Sequence, residues 1–362
     1  MQGSPAPRPP IPDREPPPPK KGRLLRPFGR WPALLAAILG LLATVAALDL
    51  WLESQPLPAT RPVPTGAALP TALPLPTIAP GVLNPPLSPI VPPVINRGTP
   101  PNRKPRTTDP DPSTEHFVVV DGDSGAILFQ QNAFQPIAPA SLTKIMTAVL
   151  AIEHGGLSDQ VKVHVDAAAF EGSSVMGLRV NSEVSFRDLL YGMMLLSGND
   201  AAMAIASHVA GSERAFVKMM NDKAAWLKLG GTHFANPDGF DADDQYSCPA
   251  DMVALARYAM QYPLFRAIVS SATYQLRDPN GLRTIRNVND LLTAYPGADG
   301  VKTGDTPRAG RASVATAVRD GHRVYAAFMR STDGAVADGV LLLDWAFDSH
   351  SWAPRAAMPD RQ

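Results

Sequence analysis

The distribution of proline constrains this chain more than any other feature of its sequence. Of the 39 prolines in 362 residues, 11 lie in residues 1–32, 18 lie in residues 53–112 and only 10 lie in residues 113–362. Proline fixes φ and lacks a backbone N–H donor, so segments this rich in proline cannot build a packed core. The first 112 residues are therefore predicted not to form a folded domain. Residues 113–353 remain as one domain of ordinary size, followed by a C-terminal tail at 354–362.

Charge is segregated along the chain, although 33 basic and 33 acidic residues give a net charge of zero. Residues 1–30 carry a net charge of +5, and residues 113–362 carry a net charge of −6. A nucleic-acid-binding protein needs a basic surface to meet phosphates, so nucleic acid is not expected as a partner. The single cysteine, Cys248, excludes an intramolecular disulfide, and the domain must be stable through core packing alone.

An apolar segment at residues 31–52 follows the basic tail and is interrupted only by Asp49. It is long enough to span a membrane, and the basic residues before it predict a cytoplasmic N-terminus. A cleaved signal peptide, ending near Ala47, is the alternative interpretation. Both interpretations export the domain, and the first predicts a single-pass protein of the cell membrane with its domain outside the cytoplasm.

Residues 53–112 combine proline with small and aliphatic residues and show neither helical nor strand periodicity. Such a segment is typical of a semi-rigid polyproline spacer, which extends by roughly 3 Å per residue. The segment is therefore predicted to be a linker that holds the domain away from the membrane.

The domain itself shows strands at both ends and helices between them. A hairpin is predicted around residues 121–125, a buried helix over 141–154 and a second helix capped by Ser185. A C-terminal hairpin around residues 319–322 and a closing helix over 341–347 follow. The predicted fold is α/β, with an antiparallel sheet flanked by helices and an inserted all-helical subdomain.

The first candidate for chemistry is the pair Ser141 and Lys144. Residues three apart on a helix lie on one face, so the two side chains can hydrogen-bond. Burial lowers the pKa of a lysine, and a neutral amine can then accept the proton of the serine hydroxyl. The pattern is short, and an N-cap serine followed by a surface lysine is the other interpretation.

Two further short motifs follow. Ser197 and Asn199 lie in a predicted loop between helices, where Ser197 could relay a proton and Asn199 could bind substrate, or Asn199 could simply cap a helix. Lys302, Thr303 and Gly304 are predicted on an edge strand beside a cleft, where the glycine lets a ligand approach the backbone. A polar strand end is the alternative for this last motif.

The three motifs together, in this order, resemble the penicillin-recognising serine enzymes. Four longer stretches resemble the D-alanyl-D-alanine carboxypeptidase family in particular, over about residues 116–347. These stretches are Pro139-Ala140-Ser141-Leu142-Thr143-Lys144-Ile145-Met146-Thr147, Leu196-Ser197-Gly198-Asn199-Asp200-Ala201-Ala202, His233-Phe234-Ala235-Asn236-Pro237-Asp238-Gly239-Phe240 and Tyr295-Pro296-Gly297-Ala298-Asp299-Gly300-Val301-Lys302-Thr303-Gly304.

The resemblance implies a role for each matching residue. Ser141 would attack the peptide bond between two terminal D-alanines, with Lys144 as general base and Ser197 assisting protonation of the leaving D-alanine. Substrate would be bound by Asn199, Lys302, Thr303, Gly304 and Asp305, and the backbone amides of Ser141 and Asp305 would form the oxyanion hole. No metal or organic cofactor is implied. The implied partners are peptidoglycan stem peptides and, as covalent inhibitors, β-lactams.

The sequence departs from the family pattern in two places near the site. Asp305 is acidic where relatives usually carry an uncharged residue, and a carboxylate disfavours binding of a substrate carboxylate. Residues 331–339 lack an arginine that often helps to hold that carboxylate, and Arg308 or Arg330 is a candidate to replace it.

Two alternative functions use the same motifs. A class A β-lactamase needs a glutamate beyond the Ser-x-Asn loop to activate water, and the last glutamate of this chain is Glu213. A membrane-anchored sensor that is acylated by β-lactams is the other alternative. Its cytoplasmic part would be only the proline-rich basic tail, which has no foldable core.

Overall fold

The computed structural model of the protein describes residue 95 and residues 98–278 and 281–353. The predicted cytoplasmic tail, the predicted membrane segment, the C-terminal tail and most of the predicted linker lie outside these residues. Within the described ranges, no helix combines the length and the apolar character that crossing a membrane requires.

The described chain contains both strands and helices, with strands grouped toward its two ends and most of the helices between them. The strands are β1 (Asn102–Arg103), β2 (His116–Asp121), β3 (Ile127–Gln131), β4 (Gln160–Lys162), β5 (Glu183–Ser185), β6 (Thr273–Asp278), β7 (Gly281–Arg286), β8 (Ala298–Thr306), β9 (Gly310–Arg319), β10 (His322–Ser331) and β11 (His350–Ser351). The α-helices are α1 (Lys144–His154), α2 (Phe186–Leu195), α3 (Asn199–Ala210), α4 (Glu213–Trp226), α5 (Pro249–Ala259), α6 (Pro263–Ser270), α7 (Leu291–Ala294) and α8 (Ala335–Ser349). Two 3₁₀ turns cover Ala140–Thr143 and Ala167–Phe170.

The central sheet has five antiparallel strands in the order β3-β2-β10-β9-β8. It joins the N-terminal hairpin to the C-terminal strands, and the helices α1 to α6 are inserted between the two groups. The predicted fold class is therefore confirmed. Both predicted hairpins are present, and Asp320 and Gly321 adopt the positive φ that a two-residue hairpin turn requires.

Both faces of the sheet are buried, which explains the unbroken apolar run of β2. Val118 and Val120 pack into the cluster formed with the inserted helices, whereas Phe117 and Val119 pack against α8. Alternate side chains of a strand point to opposite faces, so a strand covered on both sides must be apolar throughout. Each such side chain contributes about 1.5–3 kcal/mol when fully buried.

Helix α1 lies in the middle of the larger cluster, and its residues 144–151 are all buried. This agrees with the prediction of a helix that is apolar nearly all round. The N-terminus of α2 also follows the prediction, because the hydroxyl of Ser185 accepts a hydrogen bond from the Asp188 backbone N–H at 3.0 Å.

The packed domain extends further toward the N-terminus than residue 113, because its first strand begins at Asn102 and Ile95 packs against the larger cluster. Strand β1 pairs with β11 near the C-terminal end of the domain. The indole of Trp345 donates to the carbonyl oxygen of Thr108 at 2.8 Å, and Lys104 Nζ donates to that of Asp348 at 2.8 Å. A two-residue strand leaves no periodicity in the sequence, and so the proline content alone set the boundary too late.

A buried carboxylate fixes the start of α3. Asp200 is fully buried, and its oxygens accept hydrogen bonds of 2.7–2.9 Å from the backbone N–H groups of Met176, Gly177, Leu178 and Ala201. Bonds from backbone amides to a charged acceptor are among the stronger ones in proteins. The loop that precedes β5 is thereby tied to the helix that begins at Asn199.

Replacing Asp200 by alanine is expected to lower the free energy of unfolding by about 3 kcal/mol or more, because several buried N–H donors lose their acceptor. Asp222→Ala is the matched control, since Asp222 is exposed and its salt bridge to Lys218 contributes at most about 1 kcal/mol. Chemical denaturation of the purified proteins measures both changes. Equal stabilities of the two variants would contradict this role of Asp200.

Candidate active site

The turn before α1 brings Ser141 and Lys144 together. Ser141 lies in the 3₁₀ turn and is half-buried, and Lys144 is the first residue of α1. The distance from Lys144 Nζ to Ser141 Oγ is 2.9 Å. Lys144 has no exposed surface, so the interpretation of a surface lysine is wrong and the predicted contact is present.

Three acceptors surround the amino group of Lys144. Besides Ser141 Oγ, Nζ donates to Asn199 Oδ1 at 2.6 Å and to the backbone carbonyl of Asp238. Burial lowers the pKa of Lys144 from 10.5 to about 8, although the nearby carboxylates of Asp238 and Asp200 partly oppose this shift. Of the three partners, only the serine hydroxyl can also donate a hydrogen bond.

The loop between α2 and α3 places the second motif beside this pair. Asn199 is buried, and its Nδ2 donates to Ser173 Oγ at 2.9 Å while its Oδ1 faces Lys144. Gly198 takes the N-cap position of α3, so Asn199 does not cap the helix. Ser197 is buried and has a φ of 61°, a conformation that costs energy for a residue other than glycine and that clusters at functional sites.

Strand β8 carries the third motif at the edge of the central sheet, as predicted. Lys302 is buried, and its Nζ donates to the carbonyl oxygen of Thr303 at 2.9 Å. Burial, with a further contribution from the charge of Lys144, holds the pKa of Lys302 well below its ordinary value. A β-carbon at Gly304 would lie 2.9 Å from the backbone nitrogen of Ser141, so only glycine permits this approach.

A cleft of about 510 Å³ opens above these groups. Ser141, Asn199 and Asp305 line it, and Lys144 contacts the first two of these from below. The structure thus brings Asn199 of the second motif into direct contact with Lys144, and Gly304 of the third motif closely approaches Ser141, whereas Ser197 does not line the cleft. Asp305 is exposed on the wall of the cleft.

The turn at residues 236–240 has no role predicted from the sequence, yet its residues 238–240 line the same cleft. The carbonyl group of Asp238 is a partner of Lys144, and that of Pro237 accepts a hydrogen bond of 2.6 Å from Thr147 on α1. Gly239 has a φ of 94°, and a β-carbon there would lie 2.0 Å from the carbonyl oxygen of Ala140. The Asn-Pro-Asp-Gly sequence signals a turn, but it gives no sign that the turn supports the nucleophile segment.

The sequence also provides no indication that Ser173 and the ring pair Phe170–Phe240 belong to the surroundings of the site. Ser173 lines the cleft and holds the amide of Asn199. The two phenylalanine rings are parallel within 2°, with centroids 6.1 Å apart.

Burial raises the pKa of the Asp238 carboxyl, and the charge of Lys144 opposes this shift.

Arg308 and Arg330 do not line the cleft of Ser141. Arg308 forms a salt bridge of 3.0 Å with Asp243, and both arginines line a neighbouring cleft. Neither arginine therefore lies in the cleft of Ser141, where a replacement for the missing family arginine was expected.

In residues 98–278 and 281–353, no cluster of three or more His, Cys, Asp or Glu side chains could hold a metal ion. Cys248 is buried, and burial raises the pKa of its thiol to about 12, which disfavours the nucleophilic thiolate near neutral pH. Glu213, which begins α4, does not line the cleft of Ser141.

Comparison with known proteins supports the same interpretation. The family model described as D-alanyl-D-alanine carboxypeptidase, peptidase family S11, matches residues 103–333. Among solved structures, that of the Streptomyces K15 DD-transpeptidase aligns with a TM-score of 0.63 and 30% sequence identity, covering 67% of this chain and 100% of that one. Penicillin binding protein 5 from Haemophilus influenzae aligns with a TM-score of 0.63 and 32% sequence identity, and the alignment covers 67% of this chain and 73% of that one.

Curated relatives are similar over the same region. The chain is 33% identical over 257 residues to D-alanyl-D-alanine carboxypeptidase DacF of Bacillus subtilis, covering 69% of this chain and 66% of that protein. It is 36% identical over 251 residues to D-alanyl-D-alanine carboxypeptidase DacA of Escherichia coli, and the match covers 66% of this chain and 62% of that protein. The match thus spans just under two thirds of the length of either relative. The chain belongs to the D-alanyl-D-alanine carboxypeptidase family.

Proposed function

We propose that this protein is a serine-type D-alanyl-D-alanine carboxypeptidase that removes the terminal D-alanine from peptidoglycan stem peptides. The observation that carries the proposal is the buried contact of 2.9 Å between Lys144 Nζ and Ser141 Oγ. Membership of the family supports the choice of substrate. No step of the proposed reaction uses a metal or an organic cofactor.

Acylation begins with proton transfer from the Ser141 hydroxyl to a neutral Lys144. A neutral amine has two N–H donors and one lone pair. Its two N–H groups can donate to Asn199 Oδ1 and to the Asp238 carbonyl oxygen, which are acceptors only. The lone pair is then left to accept the proton of Ser141. With a pKa of about 8, roughly a tenth of the molecules hold neutral Lys144 at pH 7, against less than about one in a thousand for an ordinary lysine.

Ser141 Oγ then attacks the carbonyl carbon of the penultimate D-alanine. The backbone N–H groups of Ser141 and Asp305 stabilise the oxyanion, and removing one such donor costs about 3 kcal/mol in comparable acyl transfer. The peptide C–N bond breaks, and the leaving D-alanine takes a proton through Ser197. Water next hydrolyses the ester, with Lys144 again as the base, and Ser141 regains its proton.

The carboxylate of the terminal D-alanine is assigned to Lys302 and Thr303 at the edge of β8. Burial and the charge of Lys144 lower the pKa of Lys302, so the neutral amine is favoured while no ligand is bound. A bound carboxylate supplies that charge and favours the protonated form of Lys302. Asp305 works against this arrangement, and we expect it to weaken the binding of the substrate carboxylate.

The two alternative functions have less support. The acidic residues that line the cleft are Asp238, Asp241 and Asp305, and among the described lining residues there is no glutamate to activate a deacylating water. A β-lactam sensor would stop at the acyl-enzyme. β-Lactams enter the proposed function as covalent inhibitors that acylate Ser141.

The proposed cellular setting rests on the sequence alone. We propose that residues 31–52 anchor the protein in the cell membrane and that the catalytic domain acts outside the cytoplasm. The proline-rich spacer would then determine how far from the membrane the enzyme cleaves its substrate.

Incubation with a fluorescent penicillin and with a D-alanyl-D-alanine peptide tests the function directly. The wild type is expected to be labelled and to release D-alanine, and Ser141→Ala is expected to lose both activities. Lys144→Arg and Lys144→Gln are expected to lose acylation, since neither side chain is a base near neutral pH.

Ser270→Ala and Lys162→Gln are matched controls, because both positions are exposed; thermal unfolding checks that every variant is folded. Labelling without release of D-alanine in the wild type would favour the sensor. Acylation retained in folded Ser141→Ala would contradict the proposed nucleophile.

Shortening the linker tests the proposed spacer. Removal of about 30 residues within 53–94 is expected to leave the folded domain intact, because it spares Ile95, which packs against the core, and the first strand, which begins at Asn102. Hydrolysis of soluble peptides is expected to stay unchanged, whereas the release of D-alanine from intact cell wall is expected to change. An equal loss on both substrates would refute the spacer function.

A further inference from the structure

A second cleft of about 590 Å³ adjoins the cleft of Ser141. Pro307 lines both clefts, so they meet at the end of β8. The second cleft contains two arginines, Arg308 and Arg330, and one acidic residue, Asp243. Its described lining therefore carries a net positive charge, whereas the cleft of Ser141 is lined by three aspartates.

The backbone directs Arg330 toward the second cleft. The pairing of β10 with β9 shifts in register between Phe328 and Ser331, and Arg330 lies within this irregularity with a φ of 58°. Such bulges redirect side chains and are frequent near active sites. Among the described residues, the guanidinium group of Arg330 forms neither a hydrogen bond nor a salt bridge, and the residue is exposed. It is available for an anionic ligand.

Arg308 is held on the rim that separates the two clefts. Its backbone N–H donates to Asp241 Oδ2 at 3.0 Å, and the other oxygen of that carboxylate accepts from Thr306 Oγ1 at 2.7 Å. Its guanidinium group pairs with Asp243, whose side chain is 93% exposed. An exposed pair of this kind is weak, so a ligand carboxylate can compete for Arg308.

The direction of a bound substrate connects the two clefts. In the proposed function the terminal carboxylate lies at Lys302 and Thr303, and the scissile carbonyl group lies beside Gly304 and Ser141. The peptide N-terminal to that bond then continues along the edge strand, past Asp305 and Thr306 to Pro307. An extended chain rises about 3.3 Å per residue, so the second or third residue before the scissile bond reaches the second cleft.

We propose that the second cleft is a specificity site for a carboxylate carried by the substrate peptide, two or three residues before the scissile bond, and that Arg330 and Arg308 bind it. The inference rests on the proposed function and deepens it, because it makes an acidic peptide the preferred acyl donor. It also gives both arginines a role away from the terminal carboxylate of the substrate.

Matched peptides test this proposal. Two D-alanyl-D-alanine peptides carry glutamate at the second or at the third position before the scissile bond, and two more carry glutamine at the same positions. The wild type is expected to show at least about tenfold higher kcat/KM for the glutamate peptide at one position, because a hydrogen bond to a charged group contributes this much.

Variants of the arginines assign the preference to the cleft. The Arg330→Asn substitution removes the positive charge, and asparagine tolerates the positive φ of this position. The variant enzyme is expected to lose most of the preference for glutamate peptides. Arg308→Gln is expected to reduce the preference, and Arg330→Lys is expected to keep most of it. Arg286→Gln is the control, since Arg286 is exposed, pairs with Asp290 and lines neither cleft.

The outcomes separate this proposal from the proposed function. Equal kcat/KM for all four peptides in a wild type that does release D-alanine would overturn the specificity site alone. A glutamate preference that survives in the double variant Arg308→Gln, Arg330→Asn would also overturn it. A wild type that neither is labelled by fluorescent penicillin nor releases D-alanine would overturn the proposed function, and this inference with it.

Discussion

The structure of the site depends on one buried amino group. Placing the ammonium group of a lysine in a protein interior is costly unless hydrogen bonds replace its water. Lys144 obtains these bonds from three separate parts of the chain, namely the turn at Ser141, the start of α3 at Asn199 and the carbonyl group of Asp238. A displacement of any of these parts leaves a buried polar group without a partner. The same contacts therefore hold the fold together and set the geometry of the reaction.

A second buried lysine strengthens this constraint. Lys302 is almost as deeply buried as Lys144, and the positive charge of Lys144 adds to burial in disfavouring protonation of Lys302. Two lysines that lose water and repel each other favour a site in which at least one is neutral. In the proposed function, a substrate carboxylate would relieve the repulsion at Lys302 and leave Lys144 as the base. The site is thus suited to substrates that end in a carboxylate, as the proposed function requires.

Much of this arrangement could be predicted from the sequence because it depends on local patterns. The helix α1, the Ser185 cap, both hairpins and the position of Lys302 on an edge strand follow from periodicity, capping and turn residues. The contact of Ser141 with Lys144 follows from their spacing on one helical face. Contacts made by backbone carbonyls could not be predicted, since any residue type can supply them, and the role of Asp238 was therefore missed. The irregularity at Arg330 and the two-residue strand β1 leave no pattern that a sequence reveals.

The most direct test of this account is the titration of Lys144 itself. Lysine labelled with ¹³C at Cε gives one NMR signal per residue, and Lys144→Gln assigns the signal of Lys144 by its loss. We predict a titration midpoint of about 8 for Lys144 in the wild type. A midpoint close to the ordinary lysine value of 10.5 would contradict the claim that burial prepares Lys144 to act as a base.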